Sequence, residues 1–168
     1  MRELITAKDI SIQTKIVANQ ISDDLKGDKT PVVMIGLLKG CFMFYADLIR
    51  NMQCDVECDF MRVKSYISKN TQCDIIVTKH LDTPITGKHV YIVDDIYDTG
   101  NTVNSVIEYL KVKNPASISI VTLVARDISP VPKQKSYHAF TIGDEWLIGY
   151  GMDDDRGLNR NLPSIWVV

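Results

Sequence analysis

The sequence has no excess of positive charge: 19 Lys and Arg stand against 21 Asp and Glu, a formal net charge of −2. That argues against a general nucleic-acid or membrane-surface binder, either of which carries a basic bias. No apolar run is long enough to span a bilayer. The opening MRELITAKDI has charges where a signal peptide needs an apolar core, so a cytoplasmic protein is expected. Cysteine is scarce, with residues at 41, 54, 58 and 73 and no CxxC. In CDVECDF apolar residues alternate with acids, which predicts Cys54 and Cys58 on the apolar face of a strand. The cysteines read as buried free thiols rather than zinc ligands or disulfide partners. His80, His89 and His138 are scattered, pair with no cysteine at ligand spacing, and read as non-catalytic. Neither G-x-x-x-x-G-K-[ST] nor G-x-G-x-x-G occurs, which removes a Walker site and a dinucleotide fingerprint. There are no repeats, no low-complexity tract and no linker, so residues 1–168 read as one domain.

What is present alternates between helical and strand periodicity, which indicates an α/β class. A helix is expected over 7–26, from Ile12, Ile16, Ile21 and Leu25 near helical spacing, with Thr6 and Asp9 at its start. Strands are expected at 31–37, 54–63, 73–77, 89–94 and 118–124, and helices after 40 and from about 101. KSYISKNTQ (64–72) is polar and reads as a loop. Beyond Pro130 and Pro132, the short runs HAFTI, WLIGYGM and SIWVV read as strands of a small hood on the main sheet.

The densest chemistry lies in VYIVDDIYDTGNTV, residues 90–103. A buried strand runs into Asp94 and Asp95, then Asp98, then the turn Thr99-Gly100-Asn101-Thr102 that opens a helix. In open parallel sheets, ligands gather at the carboxyl ends of strands. The first amides of a helix lack partners and, with its dipole, favour a phosphate. Gly100 permits close approach, and the Thr99 and Thr102 hydroxyls add donors. The aspartates repel that phosphate, so they face something else: sugar hydroxyls, a divalent cation or a proton in transit. Adjacent residues of an extended chain point to opposite faces, so Asp94 and Asp95 are expected to share one pocket only if the strand has ended.

This string resembles the signature of the type I phosphoribosyltransferases, and the similarity runs from about residue 5 to the end of the chain. It is nearest to the hypoxanthine-guanine branch. The resemblance implies a central mostly parallel sheet flanked by helices, with a small hood from the N- and C-terminal segments. It implies that Lys39 and Gly40, in Leu38-Lys39-Gly40, bind pyrophosphate. It makes Ser65-Tyr66 part of a loop closing over the reacting centre. Asp94 and Asp95 become the ribose and Mg2+ pair, with Asp94 where family members often have Glu. Asp98 becomes the general base near purine N7, and Asp98 through Thr102 the 5′-phosphate loop. Arg126 falls where the family usually has a lysine donating to purine O6, and its planar fork is not equivalent. Trp146 matches the aromatic that stacks on the base, Leu147 the position whose backbone reads the base edge, and Asp153 the acid of a second magnesium. Arg160 matches an arginine on pyrophosphate. The spacing from Asp153 is one residue longer than usual, which leaves Arg156 as its alternative.

The activity so implied is purine salvage: transfer of 5-phosphoribosyl from phosphoribosyl pyrophosphate to hypoxanthine and/or guanine, with Mg2+ as cofactor and small molecules, not nucleic acid or membrane, as partners. A xanthine-preferring sibling and a non-catalytic regulator on the same fold are the alternatives. A homodimer or homotetramer is the family's habit.

Overall fold

Runs that are apolar on both faces belong in the middle of a sheet, and this chain has three of them. The computed structural model describes residues 1–67 and 73–168, with only the backbone at 65–67, 73 and 74. In order the elements are β1 (Arg2–Ile5), α1 (Ala7–Asp24), β2 (Val32–Leu37), α2 (Phe42–Asn51), β3 (Glu57–Ile67), β4 (Cys73–Lys79), β5 (His89–Tyr97), α3 (Asn101–Lys111), β6 (Ser117–Arg126), β7 (Ser136–Ile142), β8 (Leu147–Ile148) and β9 (Ile165–Val167). The main sheet has the order β4-β3-β2-β5-β6-β7. All neighbours pair in parallel except β4, which runs antiparallel to β3 at one edge. The three doubly apolar runs are β2, β5 and β6, the central strands. A second sheet, β1-β9-β8, is antiparallel and joins the two chain ends, as the hood expectation required.

Alternate residues of each central strand feed two cores. Met34, Tyr91, Val93, Val121 and Leu123 pack with α1 and α2 on one face, together with Leu147, Tyr150 and Ile165 of the hood. Val33, Ile35, Ile92 and Ile120 pack with Val103, Val106, Ile107 and Leu110 of α3 on the other. The α3 residues are the helical stripe expected from their spacing. On α1, Thr6 accepts the Asp9 amide at 3.2 Å as its cap. Its buried stripe, however, is Ile10, Thr14, Val17, Ala18 and Ile21, while Ile12 and Ile16 are exposed. Ile12 lies about 200° round the helix from Ile10, so the two cannot share a face.

Three other expectations are corrected. Residues 64–67 continue β3 instead of opening a loop, because β4 pairs with them; residues 68–72 lie outside the described residues. HAFTI belongs to β7, the edge strand of the main sheet next to β6, not to the hood. Cys58 is exposed and Asp59 buried, the reverse of the expected parity. Asp59 is kept inside because its carboxylate accepts the amides of Asp82 and Thr83, at 2.8 and 2.7 Å, with Lys79 beside it at 3.4 Å. Cys54 is half-buried just before β3, and Cys41 is a buried free thiol as expected. The side chain of Cys73 lies outside the described residues.

Candidate active site

The strand order creates the site. From β2 the chain crosses through α2 to β3 on one side, and from β5 it crosses through α3 to β6 on the other. The order therefore reverses between β2 and β5, and the crevice beyond their carboxyl ends is where an open sheet takes ligands. Two loops border it: Leu38-Lys39-Gly40 after β2, and Asp98 to Thr102 after β5.

The β2–β5 pairing ends at Gly36 and Val93. Beyond Val93 that side of β5 is open. Asp94 Oδ1 accepts the Asp95 amide at 3.0 Å, and Asp95 Oδ1 accepts the Ile96 amide at 2.8 Å. Each carboxyl is thereby folded back along the chain. Both line one concavity of about 230 Å³ with Asp98, Thr99, Gly100, Asn101 and Thr102, although β5 continues to Tyr97. The opposite-faces expectation fails here because these amides bond to side chains rather than to β2. Burial pushes Asp94 well above the usual carboxylate range, and the neighbouring charge of Asp95 adds to the rise. Burial raises Asp95 too, opposed by the contact with Asp94, by two amides and by the charge of Arg160.

The Lys39-Gly40 turn packs directly on this pair. A Cβ built on Gly40 would collide with the Asp95 carboxylate, so only glycine brings the turn so close. The Leu38–Lys39 peptide is cis. Lys39 is exposed and, among the described residues, forms no ion pair within 4 Å. On the other side of the crevice Gly100 precedes α3 with φ +77, a left-handed value, and a Cβ there would meet the Tyr97 hydroxyl. Asn104 closes the first helical turn on Gly100 at 2.8 Å. The Asn101 amide has only a long contact of 3.4 Å to Thr99 Oγ1, and no side chain caps the helix. That leaves donors for an anion. Asp98 is exposed on this turn.

The remaining sites arrive from β6, β7 and the hood. Ala125 is the register partner of Tyr97, so Arg126 follows at the level where Asp98 leaves β5. Its Nη1 donates to the Gly143 carbonyl at 2.5 Å, just past β7. Trp146 is 63 % exposed, so it is not a core tryptophan; with Asp154, Asp155 and Val168 it borders a concavity of about 360 Å³. Leu147 is buried in β8 opposite Val167. Arg160 pairs with Asp153 at 2.5 Å and donates to the Gly151 carbonyl at 2.6 Å. Arg156 is instead exposed and held by Asp154 at 2.9 Å, whereas the charge of Arg160 acts on Asp95. Ser65 and Tyr66 lie on β3 by backbone, and their side chains lie outside the described residues.

The three acids assigned to metal do not converge among the described residues: Asp94 and Asp95 form one centre and Asp153, tied to Arg160, another. The histidines are engaged elsewhere, His80 with Tyr109, His89 with Asp28 and Ser117, and His138 with Thr122. Sequence reasoning missed Tyr150, Asp47 and Gly151, which join the hood to the Gly40 turn.

Comparison with known proteins agrees with this geometry. The phosphoribosyl transferase domain family matches residues 5–155. The hypoxanthine phosphoribosyltransferase of Escherichia coli (strain K12) is 39% identical over 96% of this chain and 92% of its own. The hypoxanthine-guanine phosphoribosyltransferase of Aquifex aeolicus is 35% identical over 100% of this chain and 94% of its own. A crystal structure of a hypoxanthine-guanine phosphoribosyltransferase from Bacillus anthracis superposes with a TM-score of 0.92 at 34% identity, covering 100% of this chain and 98% of that one. A crevice at the strand-order reversal, an acid pair on its floor and an anion-ready helix start beside it thus sit on a chain that belongs to the hypoxanthine(-guanine) phosphoribosyltransferases.

Proposed function

We infer that the protein is a pentosyltransferase of purine salvage. It moves the 5-phosphoribosyl group from phosphoribosyl pyrophosphate to hypoxanthine and/or guanine, giving IMP or GMP and pyrophosphate. The observation that carries this is the placement of an anion cradle, Thr99 to Thr102, against the Asp94–Asp95 pair in one crevice. The cradle suits the 5′-phosphate and the acids suit the ribose.

In this reading Lys39, Arg160 and the Gly40 turn hold the pyrophosphate end. Asp94 and Asp95 face the ribose hydroxyls. As the leaving group departs the sugar becomes cationic, and carboxylates fixed beside it favour that charge. Asp98 accepts the N7 proton, Trp146 stacks on the purine, Arg126 donates to O6 and the Leu147 backbone reads the base edge. Ser65 and Tyr66 close over the centre and exclude water.

The acid pair also suits magnesium: two half-buried carboxylates whose charge is held back by desolvation offer hard oxygen ligands. A magnesium ion bound there, and a second at Asp153, would neutralise pyrophosphate charge.

No helix among the described residues is long and apolar enough to cross a membrane. A cytoplasmic homodimer or homotetramer completes the reading, and sedimentation tests the assembly. The activity is tested by pyrophosphate release with phosphoribosyl pyrophosphate, magnesium and hypoxanthine, guanine, xanthine or adenine in turn. Release with hypoxanthine or guanine is expected. Release with xanthine alone identifies a sibling enzyme, and no release with any base overturns the reading.

A further inference from the structure

Tyr150 stands where a bulky side chain is least expected. It occupies a left-handed conformation, φ +47, between two glycines, yet it is 7% exposed. Side chains rarely accept that backbone without a compensating contact. The contact here is specific: the Tyr150 hydroxyl donates to the carboxylate of Asp47 on α2, which also pairs with Arg50. Burial and the Asp47 charge raise the phenol, keeping it a donor.

The next residue touches the site. Gly151 lies so close to the Gly40 carbonyl that a Cβ on it would collide with that oxygen. The Gly151 amide donates to the Arg160 carbonyl at 3.0 Å, and the Gly151 carbonyl accepts from the Arg160 side chain at 2.6 Å. Tyr150 itself donates its amide to Leu162 at 2.9 Å. One short turn therefore carries both halves of the pyrophosphate clamp, the Gly40 loop and Arg160. It is fastened to the helix that follows Lys39-Gly40 through one phenol.

We propose that Tyr150, anchored by Asp47, is a positioning residue for the pyrophosphate end of the site. It sets the separation between the Lys39-Gly40 turn and Arg160 without touching substrate. This rests on the assignment of Lys39 and Arg160 to pyrophosphate. Among the described residues Arg126 and Trp146 form no hydrogen bond or ion pair with Tyr150 or Asp47, and Leu147 shares only core packing with Tyr150, so the effect is expected mainly at the pyrophosphate end.

The test is calorimetric titration of the intact protein with magnesium pyrophosphate, alongside KM for phosphoribosyl pyrophosphate and for purine, in Tyr150→Phe, Asp47→Asn and the double variant. Small misplacements of a clamp cost up to about 10²-fold. Each single variant is expected to weaken pyrophosphate binding and raise KM for the donor by about 10-fold or more. The purine KM should stay within about twofold, and the double variant should be no worse than either single one. A merely structural role would lower stability and disturb both substrates alike. If Tyr150→Phe does not fold, Asp47→Asn reads the same bond from its other end. Wild-type pyrophosphate affinity in both single variants, while Lys39→Ala and Arg160→Ala lose it, overturns the inference alone. Wild-type affinity in Lys39→Ala and Arg160→Ala overturns the clamp assignment and this inference with it.

Discussion

Asp94 and Asp95 meet where β5 loses β2 as a neighbour, with their carboxyls close enough to interact, and burial holds both above the usual carboxylate range. Adjacent residues of a strand would normally diverge. Here the loss of β2 as a partner after Val93 frees two amides, and the side chains turn back onto them. The relationship suits a ligand: it concentrates negative charge where the unliganded fold pays for it.

That cost has a sign in pH. Above the ordinary value of 3.8 the unfolded chain has released protons that the folded pair still holds. Stability from this pair therefore falls as pH rises from the ordinary value through the raised ones, and the full penalty is present above them. Asp94→Asn should remove the Asp94 share of it and leave the burial cost of Asp95. For each kcal/mol recovered, the melting temperature at neutral pH should rise by about 2–4 °C, with turnover lost. The descending limb of stability against pH should flatten, as denaturant titration at several pH values will show.

Asp98 is exposed on the turn and borders the same concavity as the half-buried Asp94–Asp95 pair. In its proposed role as general base it would contribute to rate and not to holding the sugar. Asp98→Asn should keep affinity for the phosphoribosyl donor and lose about 10²–10⁴ in kcat. Unchanged turnover would remove it from the mechanism.

Gly100 has no room for a methyl group and a backbone angle that other residues avoid. Gly100→Ala should cost about 1–2 kcal/mol of stability, read by denaturant unfolding. Affinity for a nucleoside monophosphate should fall further than stability does, because the cradle itself is displaced.

Arg126 uses one nitrogen on the Gly143 carbonyl, so in the proposed role its remaining donors would be presented to the base at a fixed angle. Arg126→Lys should alter the ratio of kcat/KM among hypoxanthine, guanine and xanthine. An equal response from all three bases would show that this residue does not read the base edge.

The sequence displayed the middle of the molecule better than its margins. Strands β2, β5 and β6 are apolar on both faces, and the stripe on α3 is regular, so the central sheet and the turn that opens α3 are legible from local pattern. RELI was not read as a strand, because four residues of mixed character mean little until β9 lies beside them. HAFTI looked like hood because its partner, β6, is what makes it part of the main sheet. Asp59 defeated the alternation in CDVECDF because its burial depends on amides more than twenty residues away. Asp47 and Tyr150 carry no motif at all; a bond across 103 positions leaves no spacing to find. The exposure of Trp146 excludes a core role in a way that its neighbours in sequence could not.

The most direct measurement is a crystal structure of the protein with IMP or GMP. The account predicts the phosphate on the main-chain nitrogens of residues 99–102, the ribose hydroxyls at Asp94 and Asp95, and the purine against Trp146. A nucleotide bound with that turn empty and its base lodged elsewhere would contradict it.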